Sequence, residues 1–210
     1  MNQELHKLLM EWKHPVITSS DIAAVLPNQP NKRYSLVKRL LAKGILIQLK
    51  KGIYQIAKPY NQAPAEPFAI APLLYGPSHI SFESALSDHG WIPEAVYTTT
   101  SATSKRKKEF FTPVGHFTYR SVPIDNFYLG VQLVENAAGS YFLADPWRAI
   151  ADICYQRRMS WPNITSLSED LRIEIEDMKA SGLSTLKILS EHYKSKLVRE
   201  SLNKLYEDLS

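Results

Sequence analysis

Basic side chains are concentrated near the N-terminus of this 210-residue chain, with asparagine and serine side chains among them. Arginine can place two N–H groups on guanine, asparagine pairs in the same two-point manner with adenine, and lysine mainly neutralises phosphate. The stretch therefore carries the chemistry of nucleic-acid recognition rather than that of bond cleavage. The residues concerned are Asn31, Lys32, Arg33, Ser35, Lys38, Arg39, Lys50 and Lys51.

The elements around these residues follow the order of a winged helix-turn-helix. Leucines and Trp12 at helical spacing predict a first helix over residues 2–13. Thr18 and Asp21 resemble a capping box that opens a second helix, and a proline-rich turn follows it.

The third predicted helix is the basic one. We expect Asn31 to cap it, four aliphatic residues to face the core, and Gly44 to end it. Alternating apolar residues then predict a hairpin whose tip is Lys50–Gly52. In this prediction the N-terminal end of the helix meets base edges in the major groove. Lys38, Lys50 and Lys51 neutralise phosphates.

The distribution of charge supports this placement. Residues 1–60 hold ten Lys and Arg against three Asp and Glu, a net charge of +7. Residues 61–120 are neutral, with five of each sign, and residues 121–210 hold ten against thirteen, a net charge of −3. A cationic end attracts phosphate and releases counterions on binding. The mildly acidic end is free for another partner.

The bulk composition is that of an ordinary folded protein, with 44% hydrophobic and 10% aromatic residues. The single cysteine, Cys154, excludes an internal disulfide and a multi-cysteine zinc site, and its apolar surroundings predict a buried, unreactive thiol. No apolar run approaches about 18 residues and the N-terminus has no signal-like core. We therefore expect a soluble cytoplasmic protein with no membrane partner.

The predicted fold class is α+β. We expect a winged helix-turn-helix domain over residues 1–58, a proline-containing linker over 59–72, and a mixed α+β domain over 73–210 that is helical from about residue 163. Within the last domain the patterns predict a short helix over 81–87, strands over 96–100, 117–122, 127–130 and 141–144, and helices over 145–155, 168–181, 183–192 and 195–209.

A long motif runs from Tyr75 to Glu94 as YGPSHISFESALSDHGWIPE and continues from residue 96 as VYTTTSATSKR. Together with GHFTY from Gly115, AIADICY from Ala149 and KKGIY from Lys50, it resembles the AbiEi-type antitoxins. The resemblance covers roughly residues 1 to 160. Asp145-Pro-Trp-Arg148 departs from the Pro-Glu-Lys-like step of many relatives, and the tail after Pro162 has no assigned role.

The resemblance implies the antitoxin half of a type IV, abortive-infection toxin–antitoxin system. The N-terminal winged helix would bind operator repeats in double-stranded DNA, as a monomer or a homodimer, and repress its own operon. The C-terminal domain would counter a nucleotidyltransferase-like toxin without forming a stable complex with it. The resemblance implies no enzymatic activity.

Two other functions remain open. One is a stand-alone winged-helix regulator whose C-terminal domain senses a ligand or dimerises, without a toxin. The other is an enzyme acting on nucleic acid, such as a nuclease or transferase. The chain has no Gly-x-Ser-x-Gly elbow and no glycine-rich phosphate loop. Asp177 and Lys179 form an Asp-x-Lys pair, but no acidic partner precedes them on a strand.

Two further clusters allow alternative interpretations. His79, Glu83 and His89 could hold a metal, but hydrogen-bonded structural roles are the favoured interpretation, and no metal or cofactor is expected. The second cluster is either an exposed hairpin tip or a second contact surface, for the DNA backbone or for an acidic partner such as a toxin or RNA. It consists of Lys105, Arg106, Lys107 and Lys108.

Overall fold

The computed structural model describes Trp12 and residues 14–58, 60–61, 65–93 and 96–210. The helix predicted over residues 2–13 lies outside this range, apart from Trp12. The chain is a mixed α+β protein with a small N-terminal region of helices and strands, a central mixed sheet and a helical C-terminal segment. The predicted fold class is confirmed at this level.

The N-terminal region contains two helices and a three-stranded antiparallel sheet of order β1-β3-β2. Its hydrophobic core is separate from the core of the rest of the protein and is built on Ile17, Ile22, Leu36 and Leu40. The elements are β1 (Val16–Thr18), α1 (Ser19–Val25), α2 (Pro30–Ala42), β2 (Leu46–Lys50) and β3 (Ile53–Ile56).

Local hydrogen bonds fix the ends of these two helices. The predicted capping box is confirmed, because the Asp21 backbone N–H donates to Thr18 Oγ1 and the Thr18 backbone N–H donates to the Asp21 carboxylate. The α2 helix begins at Pro30, so Asn31 lies inside its first turn and does not cap it as predicted. Proline suits the first helical position because its φ is already helical and its missing N–H has no partner there anyway. Gly44 ends α2 in the left-handed conformation with φ +65°.

The central sheet has six strands in the order β6-β7-β5-β4-β9-β8. Two neighbouring pairs, β5 with β7 and β4 with β9, are parallel, and the remaining three are antiparallel. The strands are β4 (Ser78–Ile80), β5 (Thr98–Thr103), β6 (Lys108–Thr112), β7 (Gly115–Ser121), β8 (Val131–Asn136) and β9 (Gly139–Ala144).

Helices cover both faces of this sheet and continue into the C-terminal segment. The most buried of them is α5, where eight consecutive residues from Trp147 to Cys154 are inaccessible to solvent or nearly so. The helices are α3 (Pro67–Leu74), α4 (Phe82–Asp88), α5 (Pro146–Arg157), α6 (Ile164–Leu171), α7 (Ile175–Ala180), α8 (Ser184–His192) and α9 (Lys196–Leu209).

Several sequence predictions differ from this structure. The end of the predicted linker is helical, because Pro67 occupies the first position of α3 and the apolar residues Ala69–Ala71 are buried in the main core. Residues 127–130 form turns, and the strand lies at Val131–Asn136 instead. The helix predicted over 168–181 is broken by Arg172, which is left-handed with φ +55°. Neither β4 nor β6 is predicted by the sequence patterns.

Among the ranges that the structure describes, no helix combines the length and the apolar character needed to cross a bilayer.

Candidate nucleic-acid interface

The α2 helix presents one polar face to solvent. Its 3.6-residue period turns Leu36 and Leu40 into the core of the N-terminal region. The structure brings five of the predicted contact residues together on the opposite, exposed side, and we call this set the α2 face. It consists of Asn31, Lys32, Ser35, Lys38 and Arg39.

The N-terminal half of the α2 face borders a cleft of about 450 Å³. Gln29 from the preceding turn lines it together with Asn31, Ser35 and Arg39. No ion pair joins Lys32, Lys38 or Arg39 to any acidic group of the described ranges. The cleft therefore combines uncompensated positive charge with amide and hydroxyl groups that can donate and accept hydrogen bonds.

Arg33 behaves differently from its neighbours. Its Nη1 donates to the backbone carbonyl of Leu26 at 2.9 Å, and the side chain is half-buried. Leu26 caps the C-terminus of α1, so the guanidinium closes the turn between α1 and α2. The guanine contact predicted for Arg33 would require this hydrogen bond to be exchanged for one to a base.

Tyr34 is an exposed aromatic residue on α2 that is absent from the predicted contact set. Its side chain is 72% exposed, although most tyrosines bury their rings. It lies outside the core pattern of the helix. Its position next to Arg33, in a basic helix and outside the core pattern, is the sequence signal by which this residue could have been included in the contact set.

The hairpin formed by β2 and β3 carries the two predicted wing lysines in different environments. Lys51 is exposed at the tip, beside Gly52, whose carbonyl accepts a hydrogen bond from the backbone N–H of Ser19 at 2.8 Å. Lys50 instead donates from Nζ to the carbonyl of Leu74 at 2.7 Å. Its ammonium also lies 5.3 Å from the centre of the Phe110 ring. Lys50 thus joins the N-terminal region to the central sheet.

The basic run at residues 105–108 lies beside this contact. The Lys105 ammonium donates to the Gly76 carbonyl and lies 5.4 Å from the centre of the Tyr75 ring. The Lys108 ammonium lies 5.9 Å from the centre of the Phe110 ring, and the two rings are 6.3 Å apart. We call Lys50, Lys105 and Lys108 the basic edge, because three lysines from two predicted contact sets surround one aromatic pair. Arg106 and Lys107 are exposed next to it.

No family model and no curated protein matches this sequence. What the chain can bind must therefore follow from its residues and their geometry.

A second polar cluster is completely buried behind the sheet. Asp152 on α5 is fully buried and accepts four hydrogen bonds, two on each carboxylate oxygen. Arg148 Nε and the Tyr193 hydroxyl donate to Oδ1, both at 3.0 Å. The Ser81 hydroxyl donates to Oδ2 at 2.7 Å, and His79 Nε2 lies 3.3 Å from the same oxygen. The cluster ties β4, α4 and α5 to the residue that ends α8.

The charges of this cluster are balanced within the protein. Burial alone would raise the pKa of Asp152, but the Arg148 guanidinium and the hydrogen bonds from His79 and Ser81 outweigh it and lower the pKa to about 2. Burial lowers the pKa of His79, and Asp152 only partly opposes this. Arg148 Nη1 also donates to the carbonyls of Phe127 and Leu129, at 3.0 and 2.7 Å. The Asp152 carboxylate is thus fully paired, as in a structural network, although His79 Nδ1 is buried without a hydrogen-bond partner among the described residues.

The residues considered for enzymatic chemistry do not converge. His89 Nε2 lies 2.9 Å from the carbonyl oxygen of Ala144, and Glu83 pairs with Arg157 at 3.3 Å, whereas His79 belongs to the buried cluster. The described ranges contain no group of three or more His, Cys, Asp or Glu side chains that could hold a metal ion. Burial raises the pKa of the Cys154 thiol to about 11, which fits the predicted unreactive cysteine.

Proposed function

We propose that the protein is a DNA-binding transcriptional repressor of its own operon and the antitoxin of a type IV toxin–antitoxin system, whose toxin is a nucleotidyltransferase. In this proposal the N-terminal region works as a winged helix-turn-helix, with α1 and α2 as the two helices and the β2–β3 hairpin as the wing. The protein is not an enzyme in this proposal and requires no cofactor.

The observation that carries the proposal is the α2 face. Its three cations have no ion-pair partner in the described ranges, so their full charge is available to phosphate oxygens. A helix is the element that fits the major groove, and the first turns of α2 carry Asn31 and Ser35, which can read base edges. Lys32, Lys38 and Arg39 flank these two and would neutralise the phosphates on either side.

The wing and the basic edge extend this surface in the proposal. Lys51 at the exposed tip can reach a phosphate directly. Lys50, Lys105 and Lys108 place their charge over aromatic rings, where a cation keeps its attraction for phosphate while its position is fixed. The central sheet would then add to the non-specific part of the affinity, with no base contact of its own.

The antitoxin role is supported by the long sequence motif and by its place in the fold. His79 and Ser81 come from the motif that begins at Tyr75, and Asp152 comes from AIADICY, yet all three meet in the buried cluster. Motif residues far apart in sequence thus share one structural task. We infer that the exposed surface of this same domain acts on the toxin.

One observation favours the alternative of a stand-alone regulator that dimerises. β8 is the last strand on its side of the sheet, so one row of its backbone groups has no strand partner in the part of the chain that the structure describes. On this strand Leu133 is 54% exposed and lies opposite Phe142 of β9, and the neighbouring Tyr128 is 47% exposed. An apolar patch on an open edge is typical of a protein contact surface.

The decisive experiment is a fluorescence-anisotropy titration of the full chain with the duplex that lies upstream of its own gene. The titration is repeated at two salt concentrations and with an unrelated duplex as competitor. We expect binding that is specific, salt-sensitive and weakened by the double substitution Lys38→Ala and Arg39→Ala. Lys204→Ala, a change of an exposed lysine on α9, is the matched control. Binding no tighter than to the competitor would contradict the repressor.

The toxin is tested separately. If a nucleotidyltransferase gene adjoins this one, its product should arrest growth, and coexpression of this protein should restore it. The α2 double variant should still rescue growth when expressed from an unrelated promoter, because DNA binding and rescue lie in different regions. Operator binding without rescue would favour the stand-alone regulator.

A further inference from the structure

The two strands at one end of the central sheet expose a polar face with an aromatic residue. Side chains alternate along a strand, so Phe117 of β7 faces the main core while its neighbours point the other way. The cross-strand pairs Phe111 with His116 and Glu109 with Thr118 lie side by side on this outer face. We call the following residues the outer strip: Glu109 and Phe111 from β6 with His116, Thr118 and Arg120 from β7.

Phe111 forms a fixed aromatic platform in the outer strip. Its side chain is 78% exposed and its ring lies flat on the His116 imidazole, with the ring centres 4.1 Å apart and the planes 8° from parallel. The imidazole is positioned in turn by the Thr98 hydroxyl, which lies 3.3 Å from Nδ1. One face of Phe111 is therefore supported while the other is free to stack.

Positive charge lies at the other end of the outer strip. A cleft of about 450 Å³ is lined there by three basic side chains, Lys107, Lys108 and Arg120, and by one acidic side chain, Glu109. The Arg120 guanidinium lies 5.2 Å from the centre of the Phe82 ring. No ion pair joins Arg120 or Lys107 to any acidic group in the described part of the chain. Arg120 lies four positions after His116 in β7, which corresponds to about 14 Å along the strand.

We propose that the outer strip binds single-stranded nucleic acid, with an unpaired base stacked on Phe111 and the adjoining phosphates on Arg120 and Lys107. Every base has a flat π face, so stacking on Phe111 requires no particular sequence. A base inside a duplex already stacks on both sides and cannot reach such a platform. A carboxylate gains nothing from the ring face, whose charge is negative, so an acidic peptide fits the platform less well.

This site goes beyond the proposed operator contact. Phe110, the neighbour of Phe111, points to the opposite side of β6 and packs with the basic edge, so the Phe111 platform faces away from that edge. Lys108 of the basic edge also lines the cleft beside Arg120, so it is left unchanged in the test of this site. The two surfaces can therefore be separated by substitution. Duplex binding should depend on the α2 face, and single-strand binding should depend on Phe111 and Arg120.

The test uses the full chain and a fluorescein-labelled oligouridylate of about eight nucleotides, which lies within the usual site size. Anisotropy is measured at two salt concentrations, and oligothymidylate of equal length distinguishes RNA from DNA strands. We expect Phe111→Ala to weaken binding about tenfold or more. Phe111→Leu should be as weak, because it keeps apolar volume without a flat ring, and Phe111→Trp should bind normally.

Charge substitutions test the other end of the outer strip. Arg120→Gln should lower the salt slope by about 0.7, the value for one phosphate on a single strand. Glu109→Gln should tighten binding because it removes the acidic group between the platform and the cations. Lys204→Ala, remote in sequence and exposed on α9, should change nothing.

Two results would overturn the proposal. One is the absence of saturable binding of either oligonucleotide by the unaltered protein. The other is unchanged binding by both Phe111→Ala and Arg120→Gln when their melting temperatures show that they are folded. Duplex titrations of the same two variants should match the unaltered protein, so that the failure of this site is distinguishable from the failure of operator binding.

Discussion

The α2 face and the buried cluster around Asp152 are two highly polar regions of the molecule, and they treat charge in opposite ways. On the α2 face, Lys38 and Arg39 are exposed and have no acidic partner in the described ranges. In the buried cluster, Arg148 directs its guanidinium to one carboxylate and to backbone carbonyls. The cations of the α2 face are thus available to a ligand, whereas the guanidinium of Arg148 stabilises the fold.

Three arginines show the gradation between these extremes. Arg148 is 2% exposed and donates from Nε and Nη1 to acceptors within the protein, whereas Arg39 is exposed and has no ion pair within the described residues. Arg33 lies between them, since it makes one hydrogen bond to Leu26 from a half-buried position. A charge that the protein satisfies internally contributes to stability, and a charge left unsatisfied at the surface is available to a ligand. Substitutions can therefore separate stability from binding.

The largest effect is expected for Asp152→Asn. The change removes the carboxylate that balances buried Arg148, and breaking a buried ion pair from one side costs about 3–5 kcal/mol. Denaturant titration should show this decrease in the free energy of unfolding. Asp125→Asn is the matched control, because Asp125 pairs with Lys194 on the surface, where both side chains are more than half exposed, and the change should cost less than about 1 kcal/mol.

Equal effects of the two aspartate substitutions would show that burial does not distinguish these pairs. The comparison between the two regions would then lose its basis. Under conditions where Asp152→Asn is still folded, its operator affinity should be unchanged, because the buried cluster lies outside the N-terminal region.

The next effect belongs to the α2 face. Replacing Lys38 and Arg39 by alanine should lower the slope of log affinity against log salt by about 2, because each side chain would neutralise one phosphate. The free energy of unfolding should stay within about 0.5 kcal/mol of the original, the usual range for exposed positions. A large drop in stability with an unaltered salt slope would place these residues in the fold rather than in the interface.

Local patterns predicted the N-terminal region well because its signals are short in range. The capping residues Thr18 and Asp21 and the stop at Gly44 act within a few residues of the chain, and the structure has them as expected. The α2 face also follows from helical periodicity alone. Lys50 and Arg33 could not be placed in this way, since each is held by a backbone carbonyl from another element.

The rest of the fold depends on contacts that are distant in sequence. The buried cluster joins His79 to Asp152 across 73 residues, and no local pattern links them. β4 has only three residues, Ser78–Ile80, and pairs with β5 and β9 inside the sheet, so its sequence carries little signal of its own. Pro67 is typical of a linker when only its neighbours in sequence are considered, although it begins a buried helix.

A smaller and mixed effect is expected for Arg33→Ala. Removal of the hydrogen bond to Leu26 should cost about 1 kcal/mol of stability, because it satisfies the carbonyl at the end of α1. If Arg33 also reaches guanine in the complex, operator affinity should fall by about 1–3 kcal/mol and the preference for one base should relax. Parallel unfolding and binding titrations separate the two contributions. Reduced stability with unchanged affinity would assign Arg33 to the fold alone.

The smallest effect concerns the acid side of the pH range. His79 is buried with a pKa below its ordinary value of 6.5, so the unfolded chain takes up a proton at a higher pH than the folded protein. Its contribution to stability is therefore complete above about pH 6.5 and declines as the pH falls below that value. Asp152, with a pKa of about 2 against an ordinary 3.8, adds a second decrease only below about pH 4.

These two pH windows can be measured apart. Between pH 7 and pH 5 the free energy of unfolding should fall in the unaltered protein and fall less in His79→Gln, which can still donate a hydrogen bond to Asp152. His192→Gln, a change of an exposed histidine at the end of α8, should leave the slope as it is. The same slope in all three proteins would mean that the pKa of His79 is the same in the folded protein as in the unfolded chain. The buried cluster would then be insensitive to pH above about 4, the range in which Asp152 stays ionised and paired with Arg148.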